Sequence, residues 1–354
     1  MNRTAAILAL AGVLRGPFAT AQGPDPHLLP ADAAFVAHFD LQALVALVGE
    51  QRLRAILRDE DTTVDSVGLL NAAWLIWTGE RGGSAQQPQQ GHDEFDRVQR
   101  EWGVNLLRDL HSVTLFASAD PQSGAGVIVL ASAAIDGALD RLRREGSLQV
   151  ERHDGIEVER APLSALLRMP GETAGGGRGD RPVWICVRPL EGERRAIAIG
   201  WQRECLVHAA RVLSGELPSL AAAQQPPLAL RPAPATIAYV EFLAVPAPWQ
   251  ELARDTIAAR IGKDIHRVVL DLTGQRSEAA LRVELDADSA RAARRVARIV
   301  RGLRILGWLP GQRDVPAPVK AMVRRAKAKA KGNHVVIELS SRLLGLQVDE
   351  TGRR

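Results

Sequence analysis

The chain has 354 residues, 46% hydrophobic, 24% charged and 4% aromatic. That composition allows one or two globular domains with an aliphatic, alanine-rich core and excludes a disordered or collagen-like polymer. Basic and acidic residues nearly balance, 45 Lys and Arg against 41 Asp and Glu, for a net charge of +4, so overall charge selects no partner.

Residues 1–21 read as a signal peptide. Asn2 and Arg3 precede the apolar run Ala5 to Leu14, and Ala19-Thr20-Ala21 has the small-x-small form of a cleavage site. The expectation is export to a periplasmic or extracellular space, with cleavage before Gln22. The apolar run is about half the ~20 residues that a membrane-spanning helix needs, and no later segment predicts a span.

A polar lead, 22–34, runs into a strand at 35–39. Asp40 stands at a helix N-cap position, and the stripe Leu44, Val45, Leu47, Val48, Leu53 and Leu57 predicts a helix over 41–57. A second helix is expected over 64–77, a glycine- and glutamine-rich loop over 79–91 and a short helix over 94–102. Strands at 111–117 and 127–130 lead to a helix at 134–145. Alternation around His153-Asp154-Gly155 predicts a hairpin over 148–160, since Asp-Gly favours a tight turn. The glycine-rich loop 171–180 is followed by strands at 183–187 and 196–200 and a helix at 203–213. The run 221–234, with four prolines, reads as a linker.

The second half predicts a strand at 236–241, a helix near 249–261 and a hairpin of 266–272 with 278–285. A long amphipathic helix follows over 290–306. On its wheel Arg291, Arg294, Arg295, Arg298, Arg301 and Arg304 share one side, while Ala293, Val296, Ile299, Val300, Leu303 and Leu306 take the other. A second basic helix is expected over 317–331, capped by Gly332-Asn333 ahead of a strand at 335–339. Residues 282–331 hold fourteen Lys and Arg against four acids, so the balanced total conceals a strongly basic segment.

One phrase occurs twice. Arg108-Asp109-Leu110-His111-Ser112-Val113-Thr114-Leu115 returns as Lys263-Asp264-Ile265-His266-Arg267-Val268-Val269-Leu270. Val36-Ala37-His38-Phe39-Asp40-Leu41 likewise pairs with Ile237-Ala238-Tyr239-Val240-Glu241-Phe242. These matches predict a duplicated unit: a first copy over 35–220 with an insertion at about 58–103 and added hairpins, and a second over 235–354. The expected class is α+β, with antiparallel sheets and helices packed on one face. The strand-helix-strand-strand-helix order resembles a ferredoxin-like unit. With the opening Leu29-Pro30-Ala31-Asp32-Ala33, it is also similar to uncharacterised exported bacterial proteins of the same duplicated layout, a resemblance that implies no activity.

Asp109 with His111, and Asp264 with His266, put a carboxylate beside an imidazole, which suits a general base with its orienter or two metal ligands. Their recurrence in both halves favours a role in the fold, with each histidine beginning a core-facing strand. No zinc signature, nucleophile elbow or phosphate loop is present, so no metal or cofactor is expected. Cys186 and Cys205 are too few for a disulfide scaffold; they are either one disulfide or two buried thiols.

The basic helices carry the binding candidates Arg291, Arg294, Arg298, Arg301, Lys320, Arg324, Lys327 and Lys331. They suit an anionic lipid, a polysaccharide or an envelope protein. Nucleic acid is disfavoured, because no aromatics interleave with the charges. The functional expectation is a non-catalytic exported binding protein. The alternative is a hydrolase or metal-dependent enzyme using an Asp-x-His pair in a cleft between the halves.

Overall fold

A computed structural model of the protein describes residues 23–51, 53, 99–100, 102–118, 124–153, 155–162, 182–243, 264–275, 278–306 and 325–342. The expected signal segment, the helices expected at 64–77 and 249–261, most of the expected insertion and both glycine-rich stretches lie outside the described residues.

The described chain is α+β, organised around one antiparallel sheet. In chain order its strands are β1 (Ala33–Asp40), β2 (Leu110–Ser118), β3 (Ala125–Ser132), β4 (Gln149–His153), β5 (Ile156–Pro162), β6 (Pro182–Pro189), β7 (Arg194–Gly200), β8 (Thr236–Leu243), β9 (Ile265–Gln275), β10 (Glu278–Ala287), β11 (Lys327–Lys331) and β12 (His334–Arg342). Their order across the sheet is β11-β12-β10-β9-β8-β1-β2-β3-β7-β6-β5-β4. The two halves of the sequence meet at the β1–β8 pair, where Phe35 lies opposite Phe242 and His38 opposite Tyr239.

The order departs from a ferredoxin-like unit. In a split β-α-β the strands flanking the first helix are separated by a third strand. Here β1 and β2 flank the helical segment and are immediate neighbours, with Asp40 opposite Ser112.

Side-chain alternation sorts the helices onto the two faces. One face carries Phe35, Val240, Phe242, Val268, Leu270, Val283, Leu285, Val335 and Ile337, which pack with Ala292, Ala293, Val296 and Ala297 of α5 (Ala290–Leu306). On the same face Val129, Ile185 and Ile197 meet Leu139 and Leu142 of α3 (Ile135–Arg144). The opposite face carries Val36, Phe116, Ile128, Cys186 and Ala198. It is covered by Cys205, Leu206, Ala209 and Ala210 of α4 (Arg203–Leu213), together with Leu29, Leu220 and Leu228. At about 25 cal/mol per Å² of apolar surface removed from water, this two-sided burial is the main stabilising contribution.

Asp40 caps α1 (Leu41–Val48) by accepting the Ala43 N–H at 2.8 Å. The predicted helix of 41–57 is interrupted at Gly49, whose φ of +86° suits a residue without a Cβ. Asn105 caps the single-turn α2 (Leu106–Asp109) in the same way.

The basic helix expected over 317–331 does not extend to Lys331: among the described residues Arg325 is helical and the chain then becomes a strand. Lys327–Lys331 is the edge strand β11, with Lys329 paired to Val336 and Lys331 to His334. The Lys-Ala alternation explains it: Ala328 and Ala330 pack into the core under α5, while Lys327, Lys329 and Lys331 are exposed. Gly332-Asn333 is therefore a two-residue hairpin turn, with Gly332 at φ +61°, not a helix cap. Lysines at a sheet edge also discourage pairing with other chains.

The Pro-rich run 221–234 stays on the sheet as it joins the halves. Leu228 is buried, and the backbone N–H groups of Ala229 and Leu230 donate to the Glu241 carboxylate at 3.0 and 2.9 Å. Ala233 donates to Asp271 at 2.7 Å. Leu230 and Ala235 adopt positive φ of 40° and 64°, a local strain held in place by these bonds.

Candidate functional site

The two Asp-x-His phrases occupy different settings. Asp109 ends α2, where it accepts the Asn105 N–H at 2.6 Å and the Ser132 hydroxyl at 2.9 Å. Its carboxylate closes a turn. His111 is half-buried, and burial, then the nearby Arg194 guanidinium, pull its pKa below the usual imidazole value. The more deeply buried face of β2 is the other one, Ser112, Thr114 and Phe116, while His111 shares its face with the partly buried Val113 and Leu115. The covering segments explain this. Val36 and His38 of β1 share the buried face, and the imidazole of His38 bonds the Thr114 hydroxyl at 2.8 Å.

Asp264 stands just before β9 and forms an ion pair with Arg295 of α5. His266 is 54% exposed at its side chain, with Nδ1 3.5 Å from an Asp288 carboxylate oxygen. The phrases are not brought together. β8 and β1 lie between β9 and β2, and the registers set His111 beyond the end of β1 and His266 level with its start. The sheet holds them at opposite ends.

The arginines of α5 are displayed as the wheel predicts. Arg291, Arg294, Arg295, Arg298 and Arg301 are exposed, while Ala292, Ala293, Val296 and Ala297 are buried. Ser289 accepts the Ala292 N–H at 3.2 Å and so caps the helix. Arg295 is engaged by Asp264, and Arg301 donates to the Ala297 carbonyl at 3.1 Å. Arg291, Arg294 and Arg298 have no carboxylate partner among the described residues. Because α5 lies over β10, β12 and β11, its arginines and the β11 lysines flank the same edge of the sheet from both faces. Lys320 and Arg324 lie outside the described residues.

A cleft of about 400 Å³ opens beside the start of α5, lined by Asp264, Asp288, Arg291, Arg295, Arg298 and Ile299. Asp288 was not among the sequence candidates; its position immediately before the capping serine was the signal that could have placed it there. A smaller cleft of about 300 Å³ lies beside α4, lined by His153, Arg203, Glu204, Val207, His208 and Arg211.

On the face of the second half opposite α5 a chain of polar groups crosses the strands. Glu241 is 0% exposed. It accepts the Tyr239 hydroxyl at 2.7 Å and the Arg267 guanidinium at 2.8 Å, besides the two backbone N–H groups of 229 and 230. Arg267 continues to Asp286 at 3.1 Å, and Asp286 bonds His334 at 2.6 Å. Burial and the adjacent Glu241 push the Tyr239 phenol far up, so it serves as a neutral donor. Burial works to raise the Asp286 carboxyl, but His334 and Arg267 outweigh it and hold it below its usual value.

Cys186 and Cys205 lie in one core cluster as free thiols. Burial raises both, Cys205 to about 11. No group of three or more His, Cys, Asp or Glu with metal-holding geometry occurs among the described residues. No helix among them is long and apolar enough to cross a membrane.

No protein-family model matches the chain, and no curated protein matches it. Among solved structures it is similar to crystal form III of TP0453, at a TM-score of 0.42 and 10% identity over 91% of this chain and 95% of that one. Crystal form I of TP0453 gives a TM-score of 0.40 and 10% identity over 90% and 93%. The likeness spans both chains nearly end to end at low identity.

Proposed function

We propose that this protein is an exported, non-catalytic binding protein that docks an anionic envelope surface through the basic face of α5 and the neighbouring β11 edge. The carrying observation is the segregation on α5. Arg291, Arg294 and Arg298 project without carboxylate partners among the described residues, while the alanine and valine side of the helix is sealed against the sheet. Lys327, Lys329 and Lys331 extend the same charge around the edge strand. Export rests on the leader-like residues 1–21.

We further propose that the two halves descend from one duplicated unit. In support, β1-β2-β3-α3 and β8-β9-β10-α5 run outward from the central pair in the same order. His38 also lies opposite Tyr239, the residue it matches in the sequence repeat.

Surface attraction of this kind is worth ~1 kcal/mol per basic residue and is screened over about 10 Å at 0.1 M salt. Replacing Arg291, Arg294, Arg298 and Arg301 by Gln should weaken sedimentation with phosphatidylglycerol vesicles by roughly a thousandfold at low salt. Binding that persists in the fourfold variant, or that is indifferent to salt, would overturn the proposal.

A further inference from the structure

The cleft at the start of α5 carries charge of both signs. Arg291, Arg295 and Arg298 follow i, i+4, i+7 spacing, so they form one stripe along ~10 Å of the helix wall. Asp264 neutralises the middle one, leaving Arg291 and Arg298 with spare donors. Asp288, at the mouth, keeps 61% of its side chain exposed. Its carboxylate is not consumed by capping, because Ser289 supplies the cap. Its ionic neighbour among the described residues is the His266 imidazole at 3.5 Å. A simple anion would satisfy the arginines but face repulsion from Asp288. A cation would do the reverse.

We propose that this cleft recognises a phosphoethanolamine headgroup of a membrane lipid, with the phosphate on Arg291 and Arg298 and the primary ammonium on Asp288. Guanidinium to phosphate and ammonium to carboxylate are both charge-assisted hydrogen bonds, stronger than neutral ones. Ala292 and Ile299, which also line the cleft, offer apolar contact for the two-carbon link between the charges. This assignment rests on the surface-docking reading and adds a headgroup preference to it. A choline headgroup fails the same test, because its quaternary nitrogen has no N–H to donate.

The full chain is tested for co-sedimentation with three vesicle types: phosphatidylcholine alone, and the same lipid doped with equal mole fractions of phosphatidylethanolamine or phosphatidylglycerol. Ethanolamine-doped vesicles should retain the protein about tenfold better than phosphatidylcholine alone. Asp288→Asn should abolish that preference while leaving phosphatidylglycerol binding intact or stronger, and Asp288→Glu should restore it. Arg291→Gln with Arg298→Gln should weaken both. An unchanged ethanolamine preference in Asp288→Asn, or no preference in the parent, refutes the headgroup assignment even if phosphatidylglycerol binding survives. Failure to bind phosphatidylglycerol at low salt refutes the docking reading itself. Soluble phosphoethanolamine should compete with the ethanolamine vesicles; competition without any vesicle preference would assign the cleft to a free metabolite and overturn the lipid.

Discussion

Glu241→Gln tests the polar chain that locks the 228–233 segment to the sheet. The parent carboxylate gathers donors at both oxygens. Oε1 receives the Ala229 N–H and Arg267 Nε, and Oε2 receives the Leu230 N–H and the Tyr239 hydroxyl. Glutamine has nearly the same shape but only one acceptor oxygen, so its NH₂ must face one of these pairs. The Tyr239 hydroxyl can rotate to accept; a backbone N–H cannot, and at least one is left unsatisfied in the interior. That loss costs about 1–3 kcal/mol. Arg267 also loses its buried counterion, but the guanidinium is 22% exposed and keeps Asp286, which discounts this second cost. The expected destabilisation is about 3 kcal/mol, a large share of the 5–15 kcal/mol typical of a folded domain. Urea unfolding of parent and variant measures it through the shift in midpoint at constant slope. A double-mutant cycle with Arg267→Met should return a coupling above about 0.5 kcal/mol. If Glu241→Gln unfolds within about 0.5 kcal/mol of the parent, the carboxylate is not the clasp that the hydrogen bonds indicate.

Two further outcomes follow from the same structure. Asp286 is held below its ordinary value of 3.8, burial being outweighed by His334 and Arg267. Its contribution to stability is therefore present above that ordinary value and is lost as pH falls through the lower folded value. Asp286→Asn should flatten the acid limb of a stability-versus-pH curve below about pH 4, and an unaltered limb would refute the assignment. Cys186 and Cys205, buried and raised by burial, should resist a thiol reagent at neutral pH until the protein is denatured; prompt labelling of either in the folded protein would count against the packing around α4.

What could be read from the sequence was mostly what depends on short-range periodicity. The Arg-to-Ala wheel of α5, the Asp40 cap and the β4–β5 hairpin around Gly155 each rest on neighbours within a turn or two of chain, and all are present. The basic stretch ending at Lys331 shows how such a reading fails. Lys-Ala alternation fits a helix by propensity and a strand by period two, and only the core under α5, assembled from distant strands, decides for the strand. The same limit explains the Asp-x-His phrases. Their residue types suggested chemistry, but whether Asp109 closes a turn or Asp264 faces a cleft depends on the partners beside it, Asn105 and Ser132 in one case and Arg295 of α5 in the other. Asp288 and Glu241 were hidden for the opposite reason. The capping Ser289 beside Asp288 marks a helix start but not a cleft, nothing beside Glu241 marks it, and each acquires its setting from a segment that returns across the sheet: the turn before β9 that carries Asp264 to Arg295, and the 228–233 strap that lays two backbone N–H groups on a buried carboxylate. The residues that separate the two halves functionally are thus those whose partners the repeat does not supply. At the α5 cleft the aspartate of the repeated phrase meets an arginine ladder found in one half alone, and the proposed binding surface rests on that difference.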